Sequence, residues 1–222
     1  MEDQSFFIGV IGNIISVFLF LSPINTFDRI VKNKSTEEFN SMPYVSALLS
    51  TSLWTYYGII KPGALLVATV NGFGAVMELI YVTLFFIFAP PRMKVKTAKL
   101  AALLDMGFLG AVIWSSMFME SDTRIRTIGI IGAVVNVFMY GSPLAALKLV
   151  IESRSVEYMP FLLSFCSFLN GGVWALYAVL VKDIYLLVPN AIGFILATIQ
   201  LMVYARYRKQ GSELQLLNEP LV

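Results

Sequence analysis

The chain has 222 residues, 58 % of them hydrophobic and only 14 % charged, where a soluble domain carries roughly 25 %. A net charge of +2 is too small to imply a nucleic-acid partner, and the absence of histidine removes His-based triads, two-His metal motifs and haem ligation by His. The single cysteine, Cys166, excludes a disulfide within the chain and reads as a small buried hydrophobe.

Seven apolar runs fall at about 6–31, 44–60, 65–88, 97–119, 127–151, 160–180 and 184–205. A helical crossing of a bilayer needs about 20 apolar residues, so the spacing predicts seven spans. The first run is too long for a signal peptide, and Met1-Glu2-Asp3-Gln4 lacks its basic start, so it reads as a retained span. Lys61-Pro62-Gly63, Pro90-Pro91-Arg92, Glu120–Arg126, Glu152–Glu157 and Lys182-Asp183 punctuate the runs. Every connection is short, which leaves no room for a domain outside the membrane.

Alternate loops differ in charge. Twelve Lys and Arg fall on one side and four on the other. The rich side is expected to be cytosolic, which places the N-terminus outside and the C-terminus inside.

The chain also repeats itself. Ser22-Pro23, Lys34-Ser35-Thr36-Glu37, Met42-Pro43, Trp54, Tyr57 and Asn71-Gly72-Phe73-Gly74 recur as Ser142-Pro143, Arg154-Ser155-Val156-Glu157, Met159-Pro160, Trp174, Tyr177 and Asn190-Ala191-Ile192-Gly193. Most pairs are 120 residues apart. Copy one covers spans 1–3 and copy two spans 5–7, while span 4 has no mate. Three spans alone would leave the second copy inverted; a fourth crossing restores its direction. The expected fold is therefore an all-α membrane protein, two parallel three-helix bundles joined by an inverting fourth helix (3+1+3). The expected divisions are 1–92, a linker helix 93–122, 123–209, and a disordered cytosolic tail 210–222. Parallel repeats place a pore or binding site on an axis along the membrane normal.

These strings, in this order and twice over, resemble the SWEET (MtN3/saliva) sugar transporters across roughly residues 5–207, and are most similar to plant members of the vacuolar-membrane branch. The resemblance implies bidirectional, energy-independent sugar diffusion by alternating access, without a cofactor, in a chain that associates into homo-oligomers. The vacuolar membrane is favoured over the plasma membrane.

A sugar needs hydrogen-bond donors and acceptors at its rim and flat apolar surface against its ring. Asn offers donor and acceptor without charge; Trp offers a broad face and one N–H. The resemblance assigns Asn71, Asn190, Trp54 and Trp174 to the sugar pocket, with Leu19, Ser50, Met139 and Asn170 lining it. The bulk of Leu19 and Asn170 leans toward a hexose over a disaccharide. Read alone, each Asn is equally a helix–helix contact, and each Trp an interfacial anchor near the outer end of its span.

Pro23, Pro43, Pro143 and Pro160 form another repeated set, which the resemblance reads as hinges of an inner gate. Pro43 and Pro160 also fit simple helix starts. Tyr57 and Asp183 match the family's outer gate, with Tyr177 as the repeat mate of Tyr57. Asp183 reads equally as a wet loop-end carboxylate beside Lys182. Glu78 and Asp105 lie at membrane depth but come singly. Glu78 is read as a packing or polar contact within the first bundle. Ser35–Glu38 has the capping-box pattern, and Glu213–Leu217 is one residue short of an acidic dileucine signal. The rival functions are a proton-coupled sugar carrier on the same fold, a seven-span receptor, and an intramembrane enzyme, against which the missing nucleophile and acid-pair motifs argue.

Overall fold

The structure, a computed structural model, describes residues 2–156 and 159–218, with side chains at 3–156 and 159–208. It is helical throughout, with no strand among the described residues. Span 1 comprises Glu2–Leu21 and Ile24–Asn33, span 2 Met42–Ile60, span 3 Leu65–Phe88 and span 4 Pro91–Ser116. Span 5 comprises Ser121–Met139 and Gly141–Ser153, span 6 is Phe161–Leu180, and span 7 begins at Ile184.

Six of the seven are long and apolar enough to cross a membrane; Met42–Ile60 is not among them. Ser46, Ser50, Thr51, Ser52 and Thr55 make span 2 more polar than its neighbours. Part of that polarity is absorbed locally. Thr51 donates to the Ala47 carbonyl at 2.8 Å and Thr55 to the Thr51 carbonyl at 2.6 Å, which satisfies hydroxyls that hydrocarbon would not.

The ends of the helices overrun the apolar runs, because charged residues extend helices beyond the hydrocarbon. Span 7 continues to Asn218, into the segment expected to be disordered. Glu213, Leu214, Gln215 and Leu216 are good helix formers, and residues 219–222 lie outside the described range. Ser35 starts no helix, so its capping-box pattern is overridden. Its hydroxyl instead accepts the Glu37 N–H at 3.2 Å within a turn where Lys34 and Glu37 both have positive φ. Hydrogen bonds from Arg29 and then Asn33 hold the Glu37 carboxyl below its ordinary pKa. Its repeat mate, Glu157, lies outside the described residues.

Two spans break near their prolines. Pro23 has no N–H to give the Leu19 carbonyl; Ser22 supplies both its N–H at 3.1 Å and its hydroxyl at 2.7 Å. Span 5 breaks at Tyr140, three residues before Pro143. Pro43 lies in the first turn of span 2 and Pro160 caps the start of span 6, where proline is tolerated.

The helix contacts close a ring in the order span 1, 3, 2, 5, 7, 6 and back to 1. Within each half the third helix sits between the first two. Between halves, span 1 meets span 6 and span 5 meets span 2, one contact being the image of the other. Span 4 lies outside the ring, chiefly against span 2, and contains a π-helical stretch at Ala102–Phe108.

Glycines set the closeness of the two seams. A Cβ on Gly12 would stand 2.9 Å from the Trp174 ring, and one on Gly132 would stand 3.3 Å from the Trp54 ring. Gly12 and Gly132 are themselves repeat mates, so each tryptophan lies on a bare stretch of the opposite half. Around them Tyr57, Tyr177, Ile128, Ala178 and Leu186 form one core shared by both halves. Toward the prolines each half has its own core: Phe27, Ile30, Tyr81 and Phe85 in the first, Leu147, Val150 and Met159 in the second.

The tighter seam predicts an asymmetry. Gly12→Ala is expected to destabilise the protein by about 1–3 kcal/mol through overpacking, and Gly132→Ala by less than about 1. Thermal unfolding of the two variants in detergent checks this; equal shifts would contradict the seam geometry.

Candidate functional site

A cavity of about 190 Å³ opens on the axis of the ring, where the two seams face each other. Asn71, Asn190, Trp54, Trp174, Ser50, Asn170 and Met139 all line it. Leu19 lines an adjoining cavity of about 220 Å³ that shares Asn136, Asn170 and Asn190 with the first. A third space of about 550 Å³ between spans 2 and 5 shares Met139 and runs to Pro43 and Ser142. Pro43 and Pro143 thus border spaces that share lining residues with the central cavity, and Pro23 and Pro160 border none of the three.

The asparagines of spans 3 and 7 are held alike. Asn71 Nδ2 donates to the Val67 carbonyl at 2.9 Å, and Asn190 Nδ2 to the Leu186 carbonyl at 2.8 Å. Each bond runs one helical turn back on its own helix, so neither is a helix–helix contact. One of the two amide N–H donors is engaged, and the carbonyl Oδ1 and the second N–H are left for the cavity.

The tryptophans differ. Trp174 Nε1 donates to Ser16 at 3.0 Å, and the Ser16 hydroxyl donates to Asn170 Oδ1 at 2.6 Å. Trp54 Nε1 has no partner, although the residue is only 4 % exposed. The repeat mate of Ser16 is Asn136, which lines the cavity and makes no hydrogen bond among the described residues. One wall is therefore internally satisfied, while on the other the indole N–H is buried without a partner and the Asn136 amide makes no hydrogen bond among the described residues. Both tryptophans are core residues, so neither is an interfacial anchor.

Asn136 and Ser16 were not singled out in the sequence, because selecting residues identical in both copies passes over a mixed pair. A lone intramembrane asparagine was the available signal for Asn136.

At the end away from the prolines, Asp183 is 2 % exposed, not the wet loop carboxylate beside Lys182. Its Oδ1 accepts the Tyr185 N–H at 3.0 Å and the Leu186 N–H at 3.2 Å, capping span 7. Its Oδ2 accepts the Tyr57 hydroxyl at 2.8 Å and pairs with Lys61. Lys61 also reaches the Tyr57 hydroxyl at 3.1 Å. The pattern Tyr57-x-x-x-Lys61 puts both side chains on one helical face, a signal the sequence held and that went unused. Tyr177 packs on Trp174 with ring centroids 5.3 Å apart and lies beside Gly9, and only Tyr57 of the two donates to Asp183. This knot ties span 2 to span 7 across the mouth of the ring.

The single acids stand apart. Glu78 is 6 % exposed, lines none of these cavities and leaves Oε2 without a partner. Of the two expected roles, packing or a polar contact, the buried and unbonded oxygen leaves packing. Asp105 sits in the π-helical stretch of span 4 with both oxygens buried and unpaired.

Comparison with known proteins follows the same lines. The family model described as "Sugar efflux transporter for intercellular exchange" matches residues 6–93 and again 126–212. The chain is 54 % identical to bidirectional sugar transporter SWEET17 of Arabidopsis thaliana, over 94 % of this chain and 87 % of that one. It is 48 % identical to bidirectional sugar transporter SWEET16 of the same plant, over the full length of both. Its fold matches the 3.7 Å structure of a eukaryotic SWEET transporter with a TM-score of 0.90 at 40 % identity, covering 94 % of this chain and 98 % of the other.

The knot predicts a coupling. Lys61→Met leaves the Asp183 carboxylate buried without its cation, and loss of one partner of such a pair costs about 3–5 kcal/mol. Adding Asp183→Asn, which still caps span 7, is expected to restore most of that stability. Thermal unfolding of both singles and the double checks it; additive losses would contradict direct pairing.

Proposed function

The chain belongs to the MtN3/saliva (SWEET) family of sugar transporters, and we propose that it carries hexoses passively and in either direction, one sugar ring at a time, through the axis between its halves. The observation that carries this reading is the single cavity lined by both copies of Asn and Trp. A space of about 190 Å³ is smaller than the ~300 Å³ at which drug-sized pockets begin, which favours one ring over two.

The wall chemistry suits a neutral polyol. Asn71 and Asn190 present carbonyl acceptors to sugar hydroxyls. Trp54 carries a buried, unpaired N–H, and Asn136, on the same cavity, an amide without a hydrogen bond among the described residues. Trp54 and Trp174 supply apolar faces from opposite halves. Ser50, Asn170, Met139 and Leu19 bound the ring and act as the size filter.

Alternating access follows from the two ends. Tyr57, Lys61 and Asp183 close one mouth, with Tyr177 packed beneath. At the other end the halves have separate cores, and the breaks at Pro23 and Pro143 and the helix starts at Pro43 and Pro160 are the pivots. In this state the sugar path opens on the proline side. The excess of Lys and Arg on that side makes it cytosolic. The likeness to the vacuolar-membrane branch favours the tonoplast as its membrane. Glu78 stands off the cavity walls, which speaks for a carrier without proton coupling.

Two experiments test this. Radiolabelled glucose and fructose flux into liposomes is expected to fall at least about tenfold in Asn71→Ala and in Asn190→Ala, with sucrose flux small throughout. Removing a bonded partner of a buried sugar hydroxyl has a cost of about 1–3 kcal/mol. Wild-type flux in both folded variants would remove the site assignment. Flux is also expected to ignore an imposed pH gradient, and Glu78→Gln to leave it unchanged; gradient-driven accumulation lost in that variant would establish the proton-coupled carrier instead.

A further inference from the structure

The Lys and Arg of the proline end are not equivalent. Lys32 pairs with Asp28, Arg29 with Glu37 and Lys148 with Glu152. The four at the start of span 4 have no such relief. No Asp or Glu occurs between Glu78 and Asp105. Arg92, Lys94, Lys96 and Lys99 make no ion pair among the described residues.

Their placement sorts them further. Lys94 lies over the Phe86 ring, 6.0 Å from its centroid. Arg92, Lys96 and Lys99 are spaced i, i+4 and i+7, on one face of the helix. All three are exposed and without a hydrogen-bond partner. The opposite face is fixed to the protein through Thr97, which is buried and donates to Ser41 at 2.8 Å. The cationic face therefore points away from the bundle. It occupies about 10 Å of helix axis. Immediately beyond it Leu103 and Met106 are exposed at 67 % and 75 %. Before it, the Arg92 N–H stands in the open first turn of the helix, where Pro90 supplies no side-chain cap and the helix dipole is positive.

Three unpaired cations above an apolar strip match one ligand shape: a phosphate-bearing head group on acyl chains. We propose that the outward face of span 4 at Arg92, Lys96 and Lys99 binds an anionic phospholipid, with Leu103 and Met106 against its chains. Juxtamembrane Lys and Arg clusters bind anionic lipids with contributions that add per residue, and guanidinium at the rim favours phosphate geometry. Lys94 is spent on Phe86 and takes no part. The site is separate from the sugar path, because span 4 lies outside the ring.

Native mass spectrometry of the full chain in detergent tests this with dioleoyl phosphatidylinositol 4-phosphate against dioleoyl phosphatidylcholine. The wild type is expected to retain the anionic lipid preferentially. The triple variant R92Q/K96Q/K99Q is expected to bind it about 100-fold more weakly. The triple variant K34Q/R154Q/R206Q, with the same loss of charge at the same end, is expected to bind as wild type. Unchanged glucose flux in phosphatidylcholine liposomes confirms that both variants fold. Equal loss in the two variants would overturn the proposal in favour of bulk charge. Displacement of the lipid by equimolar inositol 1,4-bisphosphate would overturn the role of the acyl chains. No preference over phosphatidylcholine in the wild type would overturn the site itself.

Discussion

Trp174 can lie against span 1 only because residue 12 has no side chain, and Trp54 against span 5 only because residue 132 has none. In hydrocarbon there is no hydrophobic force to press helices together, so close packing of small residues has to supply the contact. Each seam brings a large ring from one half onto bare backbone of the other. The two rings then face each other across the axis, and the space left between them is the cavity. The Asn pair, the knot at Asp183 and the splayed proline end all take their positions from that arrangement.

The repeat gives a frame, and departures from it give direction. The first half contributes Lys61 where the second has Val181, and the second contributes Asp183 where the first has Ala64 at the same helix start. One ion pair thus forms at one mouth only. Inside, Ser16 accepts from Trp174 and donates to Asn170, whereas Asn136 and Trp54 have no hydrogen-bond partner among the described residues. A sugar has a different pattern of hydroxyls on its two edges, and a wall with one saturated side and one open side suits it better than a symmetric one. Proton coupling would need an acid on this path. Both Glu78 and Asp105 are off it, buried where the charged form is costly.

Much of this was legible in the residues. Seven spans, their order and the 3+1+3 plan follow from apolar runs and the repeat, because both are one-dimensional patterns that the bilayer enforces. The central cavity gathers Asn71, Asn190, Trp54, Trp174, Ser50, Asn170 and Met139, all named from sequence. Leu19 falls one cavity further toward the prolines. What stayed hidden shares a cause. Ser16 and Lys61 matter through partners more than 100 residues away, Asn136 matters through its place on the cavity wall, and none is repeated. Asp183 reads as a wet loop residue until Lys61 and two backbone N–H groups are brought to it. The π-helical stretch in span 4 has no local marker, since neither proline nor a paired charge accompanies it. The helical reach of span 7 past residue 209 has a different origin: the segment is polar, as a disordered tail would be, but its residue types favour helix.

Trp54, Trp174 and Trp114 are the three tryptophans of the chain, and Trp114, on span 4, is well exposed and away from the cavity. In a Trp114→Phe protein all indole emission comes from the two seam rings. Titrating that protein with glucose is the most direct test of a sugar site between the halves. A saturable change in intrinsic fluorescence, absent in the same protein carrying Asn71→Ala, is the predicted result. Undiminished glucose flux with no change in emission would contradict it.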